Sequence, residues 1–255
     1  MAGVFAAGGK TSARRVEPEW LDALPPSDPR AVRSRRDLER INAIMRHAPL
    51  LERLLASHAA RPPERLIEIG GGDGKLLLAV ARRLRWRGVA ATLVDPRAEV
   101  AGATREGFAS LGWRLEVALE DAETHLRRAG AAADAVVANL FLHHLEDDAL
   151  RRLFALIANA APLFACCEPR RAGAAAAASR LLWAIGCNDV SRHDAVVSVR
   201  AGFAGRELSE CWPQGPWRLE ERRAGLFTHA FVAARADSRA ADPADAAPPC
   251  ATTRS

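Results

Sequence analysis

The chain has 255 residues, 49% of them hydrophobic and 26% charged, which suits one substantial core with short extra segments and excludes a disordered or fibrous chain. No run of about 18 apolar residues could span a membrane, and the N-terminal MAGVFAAGGK lacks the leading positive charge of a secretion signal. The five cysteines are odd in number and contain no CxxC pair, so reduced buried thiols in a cytoplasmic protein are expected, with no disulfide framework and no metal.

A net charge of +5 and a pI near 9.4 raise the question of a polyanionic partner. In the densest basic run, however, Arg30, Arg33, Arg35, Arg36 and Arg40 alternate with Asp28, Asp37 and Glu39. That is the pattern of a solvated helix face, and it argues against nucleic acid.

Residues 1–17 are small, polar and glycine-rich, and 237–255 hold almost no large apolar side chain, so neither end gains enough burial to offset its ordering entropy. From Ala31 to Ser57, apolar residues recur at three- and four-residue steps, which predicts an amphipathic helix broken at Pro49. Residues 18–60 thus form an N-terminal helical cap, and Pro62 and Pro63 mark the boundary of a main domain over 61–236.

Within that domain strands are predicted at Arg65–Ile69, Ala90–Val94, Arg114–Ala118, Ala135–Ala138 and Leu163–Cys167. Helices starting near Lys75, Arg97, Ala122 and Asp147 alternate with them. Parallel strands need such crossovers, so the alternation specifies a parallel sheet covered on both faces. An alanine-rich helix follows over Gly173–Ile185, then an unassigned segment to Ala201 and a short helix over Gly205–Cys211. Trp217–Arg222 and Leu226–Ala234, joined through Ala224 and Gly225, read as a hairpin. The expected fold class is α/β: a Rossmann-like, doubly wound, mostly parallel seven-stranded sheet with a C-terminal antiparallel hairpin and an N-terminal helical cap.

The string LIEIGGGDGK runs a strand into a glycine loop and then a helix, the place where a doubly wound sheet binds its ligand. Gly70, Gly71, Gly72, Asp73 and Gly74 form that loop, and a dinucleotide fingerprint would need a further glycine where Lys75 stands. Glu68 ends the strand and would repel a pyrophosphate, but it suits an ammonium and a sulfonium. Asp95 ends the second strand, twenty-one residues after Gly74, where a carboxylate can accept hydrogen bonds from both ribose hydroxyls. These two acidic strand ends favour S-adenosylmethionine over a nicotinamide dinucleotide.

IEIGGGDG resembles motif I of class I S-adenosylmethionine-dependent methyltransferases, LVDP resembles their second-strand acidic motif, and ADAVVANLFLHHLED resembles their fourth strand and the loop after it. The resemblance spans Arg65 to Ala234 and is closest to small-molecule enzymes of the ubiquinone-biosynthesis type. It implies that Glu68 and the glycines hold the methionine moiety, that Asp95 with Pro96 holds the ribose, and that Asp121 with Ala122 meets the adenine. Asn139 would lie beside the reacting methyl, and Glu120 stands where the family usually has glycine.

His143 and His144, after the fourth strand, and His193, beside Asp194, are candidates for a general base, since histidine titrates near neutrality. Each could instead cap a helix, pack inside or sit in a solvated loop. The expected acceptor is a small molecule methylated at a phenol, enol or carboxylate oxygen. An RNA methyltransferase and a non-catalytic cofactor-binding protein are the alternatives, and oligomeric state is left open. Ile41, Ile44, Met45 and Leu51 are expected to face the main domain, with Met45 and His47 nearest the acceptor. Cys166 and Cys167 lack the setting of a catalytic thiol.

Overall fold

The computed structural model describes residues 13–25, 27–128, 133–179 and 182–236. The terminal stretches 1–12 and 237–255, read from sequence as too weakly apolar to order, lie outside these residues. Seven strands form one sheet: β1 (Arg65–Ile69), β2 (Ala90–Val94), β3 (Arg114–Ala118), β4 (Ala135–Asn139), β5 (Leu163–Pro169), β6 (Trp217–Ala224) and β7 (Thr228–Arg235). Their order is β3-β2-β1-β4-β5-β7-β6, parallel from β1 to β5 and antiparallel in the final hairpin. The order reverses between β1 and β4, so the crevice at their C-terminal ends is the switch point where such sheets bind ligands.

The crossover helices are α4 (Lys75–Leu84), α5 (Gly102–Ser110), α6 (Ala122–Arg128) and α7 (Asp147–Ala160); before them lie α1 (Trp20–Ala23), α2 (Pro29–Met45) and α3 (His47–His58), and after them α8 (Gly173–Ser179), α9 (Asp189–Ala201) and α10 (Glu207–Cys211). Side chains along a strand alternate between faces. In β5, Phe164 and Cys166 therefore enter a core with α7 and α10, while Leu163, Ala165 and Cys167 enter a second core with α3 and α4. Both faces are covered, as a parallel sheet requires. No helix among the described residues is long and apolar enough to cross a membrane.

Several boundaries differ from expectation for identifiable reasons. The N-terminal helical run breaks at Arg46, in a left-handed conformation, rather than at Pro49. Proline is tolerated in the first turn, where the amide it lacks would have no intrahelical acceptor, and Pro49 occupies that turn of α3. After β2 the chain does not enter a helix at Arg97, because Asp95 accepts the amide of Arg97 at 2.7 Å and holds a turn; α5 starts at Gly102. The alanine-rich helix ends at Ser179, and a separate 3-10 turn covers Leu182–Ile185. The unassigned stretch before Ala201 is α9, capped by Asn188, which accepts the amide of Ser191 at 2.8 Å.

α2 corrects the periodicity argument. Its apolar Val32, Leu38 and Ile44 are exposed, whereas Ser34 and Asp37 are buried. Asp37 accepts the amide of Asn188 at 2.9 Å and the hydroxyl of Ser191 at 3.1 Å. Arg33, Arg36, Glu39 and Arg40 of the run read as solvated are exposed, but its Asp37 is buried against α9, because a buried helix start needs acceptors for its amides. Residues 13–17 also depart from the expected disorder. Arg14 donates to the carbonyl of Ala201, pairs with Asp147 at 2.9 Å and stacks on Phe203.

Candidate active site

Three acidic side chains lie at the C-terminal ends of parallel strands on the two sides of the switch point: Glu68 on β1, Asp95 after β2 and, beyond β4, Glu168 on β5. Glu68 is buried, and its Oε2 has no hydrogen-bond partner among the described residues. Burial, with Asp73 and Asp95 nearby, pushes its pKa up to about 8. A Cβ on Gly71 would come within 2.6 Å of that same oxygen, so the loop must be glycine there for backbone to pass over the carboxylate. Asp95 Oδ2 accepts the amide of Gly72 at 3.0 Å, tying the loop to β2. Gly74, at positive φ, turns the chain into α4, and Asp73 accepts the amide of Lys75. Pro96 is exposed beside Asp95.

Asp121 follows β3, as expected, but its carboxylate is engaged with Thr124, accepting the amide at 2.9 Å and the hydroxyl at 2.6 Å. It is an exposed N-cap of α6, and Ala122 is buried in the core behind it. Glu120, where the family usually has glycine, pairs with His125 and Arg128.

After β4 the chain bends sharply, with Leu140 at φ +51 and Phe141 lying over Gly70. Glu168 anchors this bend: its Oε1 accepts the amides of Phe141 and Leu142, at 3.1 and 2.9 Å. Its Oε2 meets His143 Nδ1 at 2.8 Å. On the other side of the ring, Nε2 faces Glu19 Oε1 at 3.4 Å. Burial opposes a charge on His143, but the two carboxylates outweigh it and raise its pKa to about 9. His144 packs against His143 with centroids 4.2 Å apart; burial and the His143 charge lower its pKa. His193 is elsewhere, stacked on Trp20 at 3.8 Å and bonded to Asp194, whose carboxylate also accepts the amides of Trp20 and Leu21.

Asn139 donates to Asn42 Oδ1 at 3.4 Å, while its own Oδ1 is buried without a partner among the described residues. His47 is not at an acceptor surface: it is buried, with Nδ1 against Asn42 and Nε2 against Thr228. Burial lowers its pKa to about 4, so it is neutral at pH 7. Contacts of the N-terminal segment with the ligand end of the sheet include Glu19 on His143, Asp22 on Arg97 and His144, Glu39 on Lys75 and Asn42 on Asn139. Cys166 and Cys167 are fully buried, and burial raises both thiols, so neither supplies a thiolate.

Residues 66–161 match the family model for a methyltransferase domain. That stretch, from β1 to the end of α7, is similar to a methyltransferase domain. The fold of the chain is similar to that of the pyocyanin biosynthetic protein PhzM, with a TM-score of 0.55 at 22% identity over 82% of this chain and 59% of that chain. It is similar also to the plantazolicin methyltransferase BamL, solved with a triazolic desmethylPZN analog and SAH, with a TM-score of 0.60 at 12% identity over 83% of this chain and 92% of that one. The mitomycin 7-O-methyltransferase MmcR gives a TM-score of 0.54 at 20% identity, over 84% and 60%. The chain thus spans about three fifths of the length of PhzM and MmcR. None of the curated proteins matches its sequence.

Two participants were missed by the sequence reading. Glu168 carried a usable signal, since it is the third carboxylate at the end of a sheet strand, after Glu68 and Asp95. Glu19 carried none, because a lone acid in a short polar segment has no periodicity or motif to place it.

Proposed function

We propose that this protein transfers a methyl group from S-adenosylmethionine to an oxygen of a small-molecule acceptor, a phenol, enol or carboxylate, with His143 as general base. The observation that carries the reading is Glu68, a buried carboxyl whose Oε2 lacks a partner among the described residues, under a glycine loop at the switch point. A buried acceptor without a donor is costly, and a cationic ligand group supplies what it lacks. The residues present therefore fit the cofactor: Glu68 for the ammonium, the amides of Gly71 and Asp73 for the carboxylate, since those of Gly70, Gly72 and Gly74 are donated to Val94, Asp95 and Gly71, and Asp95 for the ribose. Asp121 and Ala122 stand at the end of β3 on the adenine side, although the Asp121 carboxylate is shared with Thr124. The 7-O-methyltransferase named among the similar folds supports oxygen as the acceptor atom.

When bound, S-adenosylmethionine supplies a methyl carbon activated by its sulfonium charge. The chain's own residues then bind, position and move one proton. Glu168 accepts Nδ1–H of His143 and fixes the ring; with Glu19 opposite, Nε2 carries a proton at neutral pH, so it can accept from the acceptor hydroxyl only once Glu19 has moved away and that proton has left. Glu19 lies where that hydroxyl must come, so the segment bearing it gives way when the acceptor enters. A phenol of pKa about 10 is within reach of an imidazole base; an aliphatic alcohol is not. We assign α1, α2 and the Trp20–His193 stack to the roof over the acceptor, which excludes water and holds the oxygen against the methyl. We place the protein in the cytoplasm, where the buried thiols of Cys166 and Cys167 stay reduced.

Incubation with methyl-labelled S-adenosylmethionine and a panel of phenols, enols and aromatic acids, with tRNA alongside, tests the reading. Label in a small molecule is expected. Label in tRNA alone would overturn it.

A further inference from the structure

Besides the methyl-transfer machinery, the loop after β4 and the segment before α1 gather a second kind of chemistry. We propose that Glu19, His143 and His144 bind one divalent first-row transition-metal ion, Zn2+ in the first instance. One carboxylate oxygen and one ring nitrogen from each histidine all lie within 4.8 Å of one another. A tetrahedral ion with bonds of about 2.1 Å holds its ligands about 3.4 Å apart. His143 Nε2 and Glu19 Oε1 are 3.4 Å apart, too far for a good hydrogen bond but right for two ligands of one ion.

The surroundings fit as well. Glu168 accepts Nδ1–H of His143 at 2.8 Å, the carboxylate–histidine arrangement that orients a ligating imidazole and raises its basicity. Glu168 cannot drift, because Phe141 and Leu142 donate their amides to its other oxygen. Ser198 donates to Glu19 Oε1 and holds the third ligand. The His144 side chain is 33% exposed, against 4% for His143 and 13% for Glu19, so it forms the entrance. Asp22 stands at the same rim, 3.9 Å from His144 Nδ1.

Two imidazoles and one carboxylate with an open fourth position suit Zn2+, Co2+ or Fe2+, whereas Mg2+ and Ca2+ prefer all-oxygen sets. Among the described residues no other three such groups converge; pairs such as His125–Glu120 and His229–Glu221 stop at two. Binding displaces the proton from Nε2 of His143 while Nδ1–H stays with Glu168. An ion on Nε2 takes the lone pair that the proposed base needs, so metal loading and methyl transfer exclude each other; this consequence rests on the function proposed above.

The test is a titration of the untagged, full-length protein with Co2+, followed by calorimetry and by the visible d–d bands, with no acceptor or cofactor present. One ion per chain is expected, displaced by Zn2+ and not by Mg2+. Glu19→Gln and His144→Ala should each weaken binding at least tenfold with an unchanged melting temperature, while His125→Ala leaves it unaltered. Lack of stoichiometric bands, or bands that survive both substitutions at full affinity, would overturn the site. Zn2+ should also slow methyl transfer, with recovery on chelation. If the ion binds as described and activity is untouched, the metal site stands and His143 falls as the base.

Discussion

The two halves of the crevice are built differently. On the β1–β2 side the elements are local: Glu68, the glycines and Asp95 lie within 28 residues, and Asp95 holds the loop through the Gly72 amide. On the β4–β5 side, Glu19, His143 and Glu168 come from three separate parts of the chain and meet only through the fold. A backbone cradle needs particular φ values and no side chains, so it is written as a contiguous glycine pattern. A proton-handling pair needs only two side chains in reach, and any distant elements can supply them.

The largest effect should fall on the second side. His143→Gln is expected to lower turnover by about 10² to 10⁴-fold, the usual loss when a general base is removed, with S-adenosylhomocysteine affinity nearly unchanged. Equal losses in turnover and affinity, measured by steady-state kinetics and calorimetry, would erase the distinction between the halves. Asp95→Ala should do the reverse, weakening cofactor binding by about 1–3 kcal/mol through lost hydrogen bonds to a charged acceptor. Unchanged affinity would mean that Asp95 serves only the Gly72 and Arg97 amides it already holds.

Glu68 sharpens the comparison through stability. Its native pKa is raised to about 8 from an ordinary 4.5, so between those values the unfolded chain has lost a proton that the native protein keeps. The native state is therefore penalised as pH rises through that window. Glu68→Gln, which cannot ionise, should melt higher than the parent at pH 9 and close to it at pH 5, in thermal unfolding without ligand. A parent that is equally stable relative to the variant at both pH values would contradict the burial of an uncompensated carboxyl. The smallest effect is assigned to Asp121→Ala: about 1 kcal/mol of stability from a lost N-cap, read by denaturant unfolding, with cofactor affinity little changed.

How far the sequence could be read follows the same division. The parallel strands, the hairpin and the glycine loop were legible because short β-rich runs and turn residues are local signals. α2 was misread because its buried face is polar: Asp37 and Ser34 face α9 to satisfy the start of that helix, and no hydrophobic period records such a need. The cap expected over 18–60 is likewise not separable from the main domain, because it includes α3. Leu51, Leu54 and Leu55 of α3 lie in the main core, and at about 1.5–3 kcal/mol each their loss would consume most of a domain's net stability of roughly 5–15 kcal/mol. The acceptor roof is therefore to be tested by removing residues 1–24, which takes away Glu19 and spares α3.

The central claim is that the Glu68 side of the crevice receives a cationic cofactor. Titrating S-adenosylhomocysteine into the protein at pH 7, in two buffers of different ionisation enthalpy, tests it most directly. Glu68 is protonated in the free protein at that pH and must ionise against the ligand's ammonium, so binding should release close to one proton, and Glu68→Gln should abolish the release. NAD should give no heat of binding. Tight binding of NAD, or S-adenosylhomocysteine binding with no proton release in the parent protein, would contradict the account.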